Sequence, residues 1–137
     1  MSMADGLCAQ KLLVTELAKS QGKAVGYQAG LTNPAVRKRL GHDAPIRGTL
    51  FEKMLVNEGA GVPVKFGARP VFEADPVVEV KDDGVNDAKT PAEGLARLSR
   101  IIPFIELPDL LLDPKETPNG PVLAAINVAA RLGMLGK

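Results

Sequence analysis

The sequence predicts an α+β domain, or part of one. Three observations carry this expectation. Cap residues followed by proline, or by an acid three residues on, mark helix starts along the chain. Short apolar or alternating runs between them read as strands. The 14 Gly and 11 Pro among 137 residues divide these elements with turns and irregular loops. The length suits one domain with a core of its own. No linker, repeat or low-complexity segment divides the chain, so residues 1–137 are expected to form a single domain.

Composition narrows the function. Apolar residues make up 45%, which argues against disorder. The net charge of +1 gives no overall pull toward nucleic acid or acidic membranes. Aromatics at 4%, with no Trp, leave no base-stacking platform. Cys8 is the only cysteine, so an intrachain disulfide is impossible, and a reducing cytoplasm is the expected setting. No run is apolar enough to span a membrane, and the N-terminus has no signal-peptide pattern.

In chain order, Ser2–Gln21 reads as a helix. Ser2 and Asp5 form a capping box, Leu13, Val14 and Leu17 form an apolar face, Cys8 packs the helix, and Gly22 is the stop. Ala24–Leu31 reads as a strand in which Gly26 and Gly30 signal a bulge or close backbone approach, with Tyr27 in the core. Asn33 and Pro34 start a short helix ending at Gly41, whose Arg37-Lys38-Arg39 form a solvated face. His42–Gly48 is a loop, and His42 a surface histidine. A strand over Thr49–Val56, a turn at Asn57–Gly61 and extended chain over Val62–Phe66 follow.

The segment Arg69–Val80 is the most informative. As a strand it carries Val71, Glu73, Asp75, Val77 and Glu79 on one face. Pro70 and Pro76 put it at a sheet edge or make it bulged. Lys81–Gly84 turns the chain. Thr90-Pro91-Ala92-Glu93 starts a helix that continues through Leu95 and Leu98 until Pro103 ends it, and Phe104–Leu107 is a buried strand. After a loop over Asp109–Gly120, Pro121–Leu132 reads as the last helix, stopped by Gly133.

Glu73 and Asp75 stand side by side on one strand face, and Glu106 lies in a second apolar strand. Carboxylates so placed repel unless one is protonated or a cation lies between them, and they are costly for stability alone. A divalent metal explains all three. Glu79, by contrast, is expected to be exposed.

Several stretches together resemble the fumarylacetoacetate hydrolase superfamily, in particular its 2-keto-4-pentenoate hydratase and 4-oxalocrotonate decarboxylase branch. They are Gly26–Thr32, Pro45–Leu50, Phe72–Asp75, Pro103–Leu107 and Ala125–Gly133. Each is weak alone, and their order and separation make the set specific. The resemblance implies a mixed β-sheet roll with flanking helices and one Mg²⁺ or Mn²⁺ held by Glu73, Asp75 and Glu106. It also implies lyase activity on a short 2-keto or 2-hydroxydienoate acid.

The chain departs from the family pattern at Gln28, where the family carries Lys, and at Ile46-Arg47, where the hydratases often carry an acid. Gln28 can hydrogen-bond substrate but cannot serve as acid or base at neutral pH. Arg47 is the candidate for a substrate carboxylate. Asn127 has two open readings, a substrate contact or a hydrogen bond within the core. Family members extend past both ends of this sequence, so a partial, truncated domain with open sheet edges is expected, pairing into a homodimer or larger assembly. A catalytically silent relative that binds a keto acid or a partner chain is the rival to the lyase.

Overall fold

Ser2 opens the first helix as its sequence requires. Its hydroxyl accepts from the Asp5 backbone N–H, while the Asp5 carboxylate accepts from the Ser2 N–H. In the computed structural model, which describes all 137 residues, α1 runs over Met3–Gln21 with Leu13, Val14 and Leu17 half-buried. Gly22, at φ +85°, ends it. Cys8 does not pack the helix. It is exposed, because the helix turns that side to solvent. No helix is long and apolar enough to cross a membrane.

Strands β1 (Ala24–Gly30) and β2 (Ile46–Phe51) form an antiparallel ribbon whose register slips between Ala24 and Gly26, the expected bulge. Between them, α2 (Pro34–Arg39) starts at its Asn33 cap. Arg37 is tied back to the Leu31 and Thr32 carbonyls, whereas Lys38 and Arg39 are exposed. Tyr27, expected in the core, is 64% exposed on the outer face of the ribbon.

The strand expected over Thr49–Val56 is two strands in two sheets. β2 ends at Phe51, a 3₁₀ turn covers Glu52–Met54, and β3 (Leu55–Asn57) joins the second sheet. Phe51 and Met54 are each 1% exposed, and burying both at the corner redirects the chain. Val62–Phe66 forms no strand. Just beyond it, the buried Asp109 carboxylate takes the Ala68 and Arg69 N–H groups.

The second sheet has the order β3-β6-β5-β4, with β4 (Glu73–Val80), which contains Pro76, at the edge. The helix predicted to continue to Pro103 ends early. α3 (Pro91–Ala96) is followed by β5 (Leu98–Leu107), antiparallel to β4. Pro103 stands opposite Pro76, and its carbonyl turns away from β4 to accept from Gly136 N–H at 2.8 Å. The Pro76–Pro103 pair therefore gives up no β4–β5 ladder bond, while Pro103 accepts from Gly136 on the β6 side and cannot donate in return.

The last helix is also shorter than its periodicity suggests. α4 (Gly120–Ala125) packs on α1. It gives way to a 3₁₀ turn at Asn127–Ala129, and the chain then enters β6 (Leu132–Leu135) between β3 and β5. Asn127, Val128 and Ala129 have φ of 56°, 59° and 60°, a left-handed run that L-residues avoid. Tertiary structure holds it in place. Asn127 is fully buried, its Oδ1 accepts from Thr49 N–H at 2.7 Å, and its Nδ2 donates to the Thr49 carbonyl at 2.9 Å. A Cβ at Gly48 would come within 2.6 Å of the Asn127 carbonyl, so only glycine lets the ribbon lie this close to the turn.

Candidate metal and ligand site

Register creates the acidic cluster. Glu73 pairs with Glu106 across β4 and β5, and Asp75 pairs with Phe104, so the three acids share one sheet face. One carboxylate oxygen from each lies within 4.8 Å of the others. Near a protein surface, two unit charges about 4 Å apart interact by roughly 4 kcal/mol. Glu73 and Asp75 are exposed, whereas Glu106 is only 8% exposed. Burial pushes the Glu106 carboxyl up to about 8; contact with the Asp75 carboxyl and the negative charges of Glu73 and Asp75 add to the rise, and the Gln28 amide opposes it. Glu106 therefore holds a proton at neutral pH unless a cation replaces it. Three oxygen donors around one point fit a hard divalent cation. Glu79, on the same strand, is instead paired with Arg100 at 2.8 Å and bonded by Ser99.

Gln28 reaches this cluster from β1. Its Nε2 donates to Glu106 Oε1 at 2.5 Å and to the Val128 carbonyl at 3.3 Å. The Val128 carbonyl fixes the amide, because the reversed orientation would set oxygen against oxygen. Gln28 Oε1 is buried without a hydrogen-bond partner. Gln28 thus brackets Glu106 and the left-handed turn together, and its donor group is already in use.

The other two expected ligand contacts lie elsewhere. Arg47 pairs with Ala29, so it occupies the ribbon face opposite Gln28, where its guanidinium stacks 4.4 Å from the centre of the Tyr27 ring. Asn127 spends both halves of its amide on Thr49, which selects the core reading. His42 is half-buried against Gly120, away from the acids.

A cleft of about 430 Å³ opens between ribbon and sheet, with Gln28, Asp75 and Glu106 on its wall and Phe104 and Leu132 among its apolar lining. Arg131 also lines it. Sequence reasoning missed Arg131 by placing it inside a helix. The available signal was Asn127, a residue type that tolerates left-handed backbone, standing in an apolar helical pattern.

Comparison with known proteins follows the same lines. No family model matches the chain. The 2-keto-4-pentenoate hydratase of Burkholderia vietnamiensis is 33% identical over 95 residues, 69% of this chain and 36% of that protein. The hydratase of Paraburkholderia phymatum is 30% identical over 87 residues, 64% of this chain and 33% of that protein. The chain is a relative of the 2-keto-4-pentenoate hydratases. It spans about a third of the length of these hydratases. In fold, the chain matches about half of 4-oxalocrotonate decarboxylase from Pseudomonas putida G7. The form complexed with magnesium and adipate superposes with a TM-score of 0.81 at 22% identity, over 99% of this chain and 51% of that one. The form complexed with calcium and acetate gives 0.79 at 24% identity, over the same shares. The α+β expectation and the family resemblance both hold.

Proposed function

We propose that this hydratase relative holds Mg²⁺ or Mn²⁺ between Glu73, Asp75 and Glu106 and acts there as a lyase of the hydratase or decarboxylase type. Its substrate would be a short 2-keto or 2-hydroxydienoate acid. The observation that carries this reading is the buried Glu106 carboxyl, directly opposite Glu73 and within reach of Asp75, which needs a proton or a cation. A bound cation supplies Lewis-acid stabilisation of negative charge developing on a keto oxygen. The chain's own part is to orient the acids, through Gln28 on Glu106, and to exclude water along the apolar wall around Phe104 and Leu132.

One observation favours a second reading, binding without turnover. Neither Lys nor His lines the cleft, and Gln28 neither transfers protons at neutral pH nor has a donor left for substrate.

Thermal unfolding with Mg²⁺ or Mn²⁺, alone and with oxalate or pyruvate, tests the site. The midpoint should rise in the wild type and not in Glu73→Ala. No rise in the wild type, or the same rise in the variant, removes the metal assignment. For turnover, 2-hydroxydienoates with metal should lose their conjugated absorbance; constant absorbance with a preserved midpoint rise leaves the binding reading.

We also propose that the chain assembles with a second copy of itself. It exposes 9066 Å², whereas a compact monomer of 14.4 kDa is expected to expose about 6,800 Å². The sheet face carrying Val78, Ile101 and Ile105 leaves them 45%, 66% and 47% exposed. The excess of roughly 2,000 Å² is of the order that obligate interfaces bury. Sedimentation should show a dimer or larger species that Ile101→Ser shifts toward monomer; a wild-type monomer at all concentrations excludes the assembly.

A further inference from the structure

We infer that Gln28 Oε1 accepts a hydrogen bond from a water molecule carried by the cation, so that this one side chain positions the ion's hydration as well as Glu106. The inference rests on the metal reading above and names a contact within it.

Gln28 Oε1 is the one buried side-chain nitrogen or oxygen of the protein without a hydrogen-bond partner. An acceptor left unpaired in this way costs stability. The amide cannot turn to relieve it. Its Nε2 donates to Glu106 Oε1 at 2.5 Å and to the Val128 carbonyl at 3.3 Å. A turned amide would set its oxygen against the Val128 carbonyl and bury two N–H donors in its place. A cation on Glu106 keeps that carboxylate ionised, which strengthens the bond from Nε2 and holds the amide as it stands. Oε1 is therefore left to a donor from the cleft that Gln28 lines together with Asp75 and Glu106.

A water on the ion meets this need better than a water alone. A buried water requires at least two polar partners, and no second orphaned side-chain atom accompanies Oε1 to serve it. The ion is the missing partner. Glu73, Asp75 and Glu106 bring three oxygens together, and Mg²⁺, octahedral and reluctant to dehydrate, completes such a set with waters. Water polarised by a divalent ion is a strong donor and suits an amide oxygen. Lysine, which the family pattern carries at this position, has donors only and offers no acceptor. The contact therefore belongs to the departure at Gln28.

The structure of the Mn²⁺-loaded full chain, with the ion located by its anomalous scattering, reads the contact directly. A water should be bonded to the ion and lie within about 3 Å of Gln28 Oε1. In solution, ¹⁷O relaxation of solvent water at saturating Mn²⁺ gives the exchange rate of ion-bound water. Gln28→Met keeps the length of the side chain without its acceptor. It should speed that exchange about tenfold, the scale of one hydrogen bond from an ion-polarised water. A purely orienting role for Gln28 lowers Mn²⁺ affinity in the variant and leaves the rate at saturation unchanged. An unchanged rate overturns the inference and leaves the metal site standing. So does an ion held by the three acids whose waters do not touch Oε1, or to which Oε1 binds directly. Absence of Mn²⁺ from the three acids overturns the metal reading, and the inference falls with it.

Discussion

The seam between the β1–β2 ribbon and the left-handed turn differs sharply from the β4–β5 arm. At the seam, Phe51, Met54 and Asn127 are almost wholly buried, and the Asn127 amide has a partner for each half. On the arm, every β4 residue except Val77 is exposed, and β5 is buried only at Phe104 and Glu106 near its inner end. The acidic cluster straddles the two. Glu106 belongs to the buried side and is fixed by Gln28, whereas Glu73 and Asp75 belong to the open edge. The stiff half thus holds one ligand in place, and the edge strand brings the other two to it.

The sharpest way to break this contrast is to cut the seam. Phe51→Ala should cost about 3–5 kcal/mol in denaturant unfolding, through lost burial and the cavity left behind. Asn127→Ala should cost about 2–4 kcal/mol, because it strands the N–H and carbonyl of Thr49 together. Asn127→Ala also loses the residue type best suited to the left-handed position. Losses below about 1 kcal/mol in both variants would mean that the seam is not the stiff half.

Legibility in the sequence follows the same division. Local signals were read correctly: the Ser2 capping box, the Asn33 and Thr90 caps, the bulge near Gly26, and the edge position of a strand containing Pro76. The acidic cluster was visible because a period of two puts Glu73 and Asp75 on one face whatever surrounds them. Long-range contacts hid the rest. Val122, Ala125, Ile126 and Ala129 keep helical spacing, yet the backbone of Thr49, far away in sequence, captures Asn127 and turns the chain. Pro103 read as a helix terminator because its proline partner across the sheet, Pro76, was not foreseeable from local pattern. Arg47 lies within the stretch Pro45–Leu50 that resembles the family, but strand alternation from Gln28 to Ala29 sends its partner position to the far face. Arg131 was hidden by the same misread helix.

Glu106 couples the two halves, and its protonation gives the next largest effect. Without metal, the folded chain keeps a proton on Glu106 up to about pH 8, while an unfolded glutamate loses it near 4.5. The stability this group contributes is therefore complete below 4.5 and is lost as pH rises through the folded value near 8. Metal-free protein should melt at a lower temperature at pH 8 than at pH 6. Glu106→Gln should flatten that slope and abolish the rise caused by Mg²⁺. Metal affinity should climb over the same window, with proton release on binding. A metal-free midpoint that rises from pH 6 to 8, with the Glu106→Gln variant unchanged in slope, would remove the coupling.

Gln28→Ala addresses the bracket rather than the ligands. Partners that orient a ligating group typically contribute 10–100-fold to metal affinity. The variant should weaken Mg²⁺ binding within that range. Unchanged affinity in Gln28→Ala would place Gln28 outside the metal site's support.

The smallest effect belongs to the outer end of the arm. The Ser99 hydroxyl and then Arg100 hold the Glu79 carboxyl below its ordinary range, so its contribution is present above that range and lost as pH falls through the lowered value. The group is exposed, and solvent screens such pairs to near nothing. Glu79→Gln should leave both the neutral-pH midpoint and the Mg²⁺-induced rise unchanged, although Glu79 shares its strand with Glu73 and Asp75. The variant therefore separates a defined three-acid site from a diffuse attraction of cations to an acidic strand. A weaker Mg²⁺ response in Glu79→Gln would favour the diffuse attraction, because Glu79 is engaged by Ser99 and Arg100 and is not among the three acids whose oxygens converge.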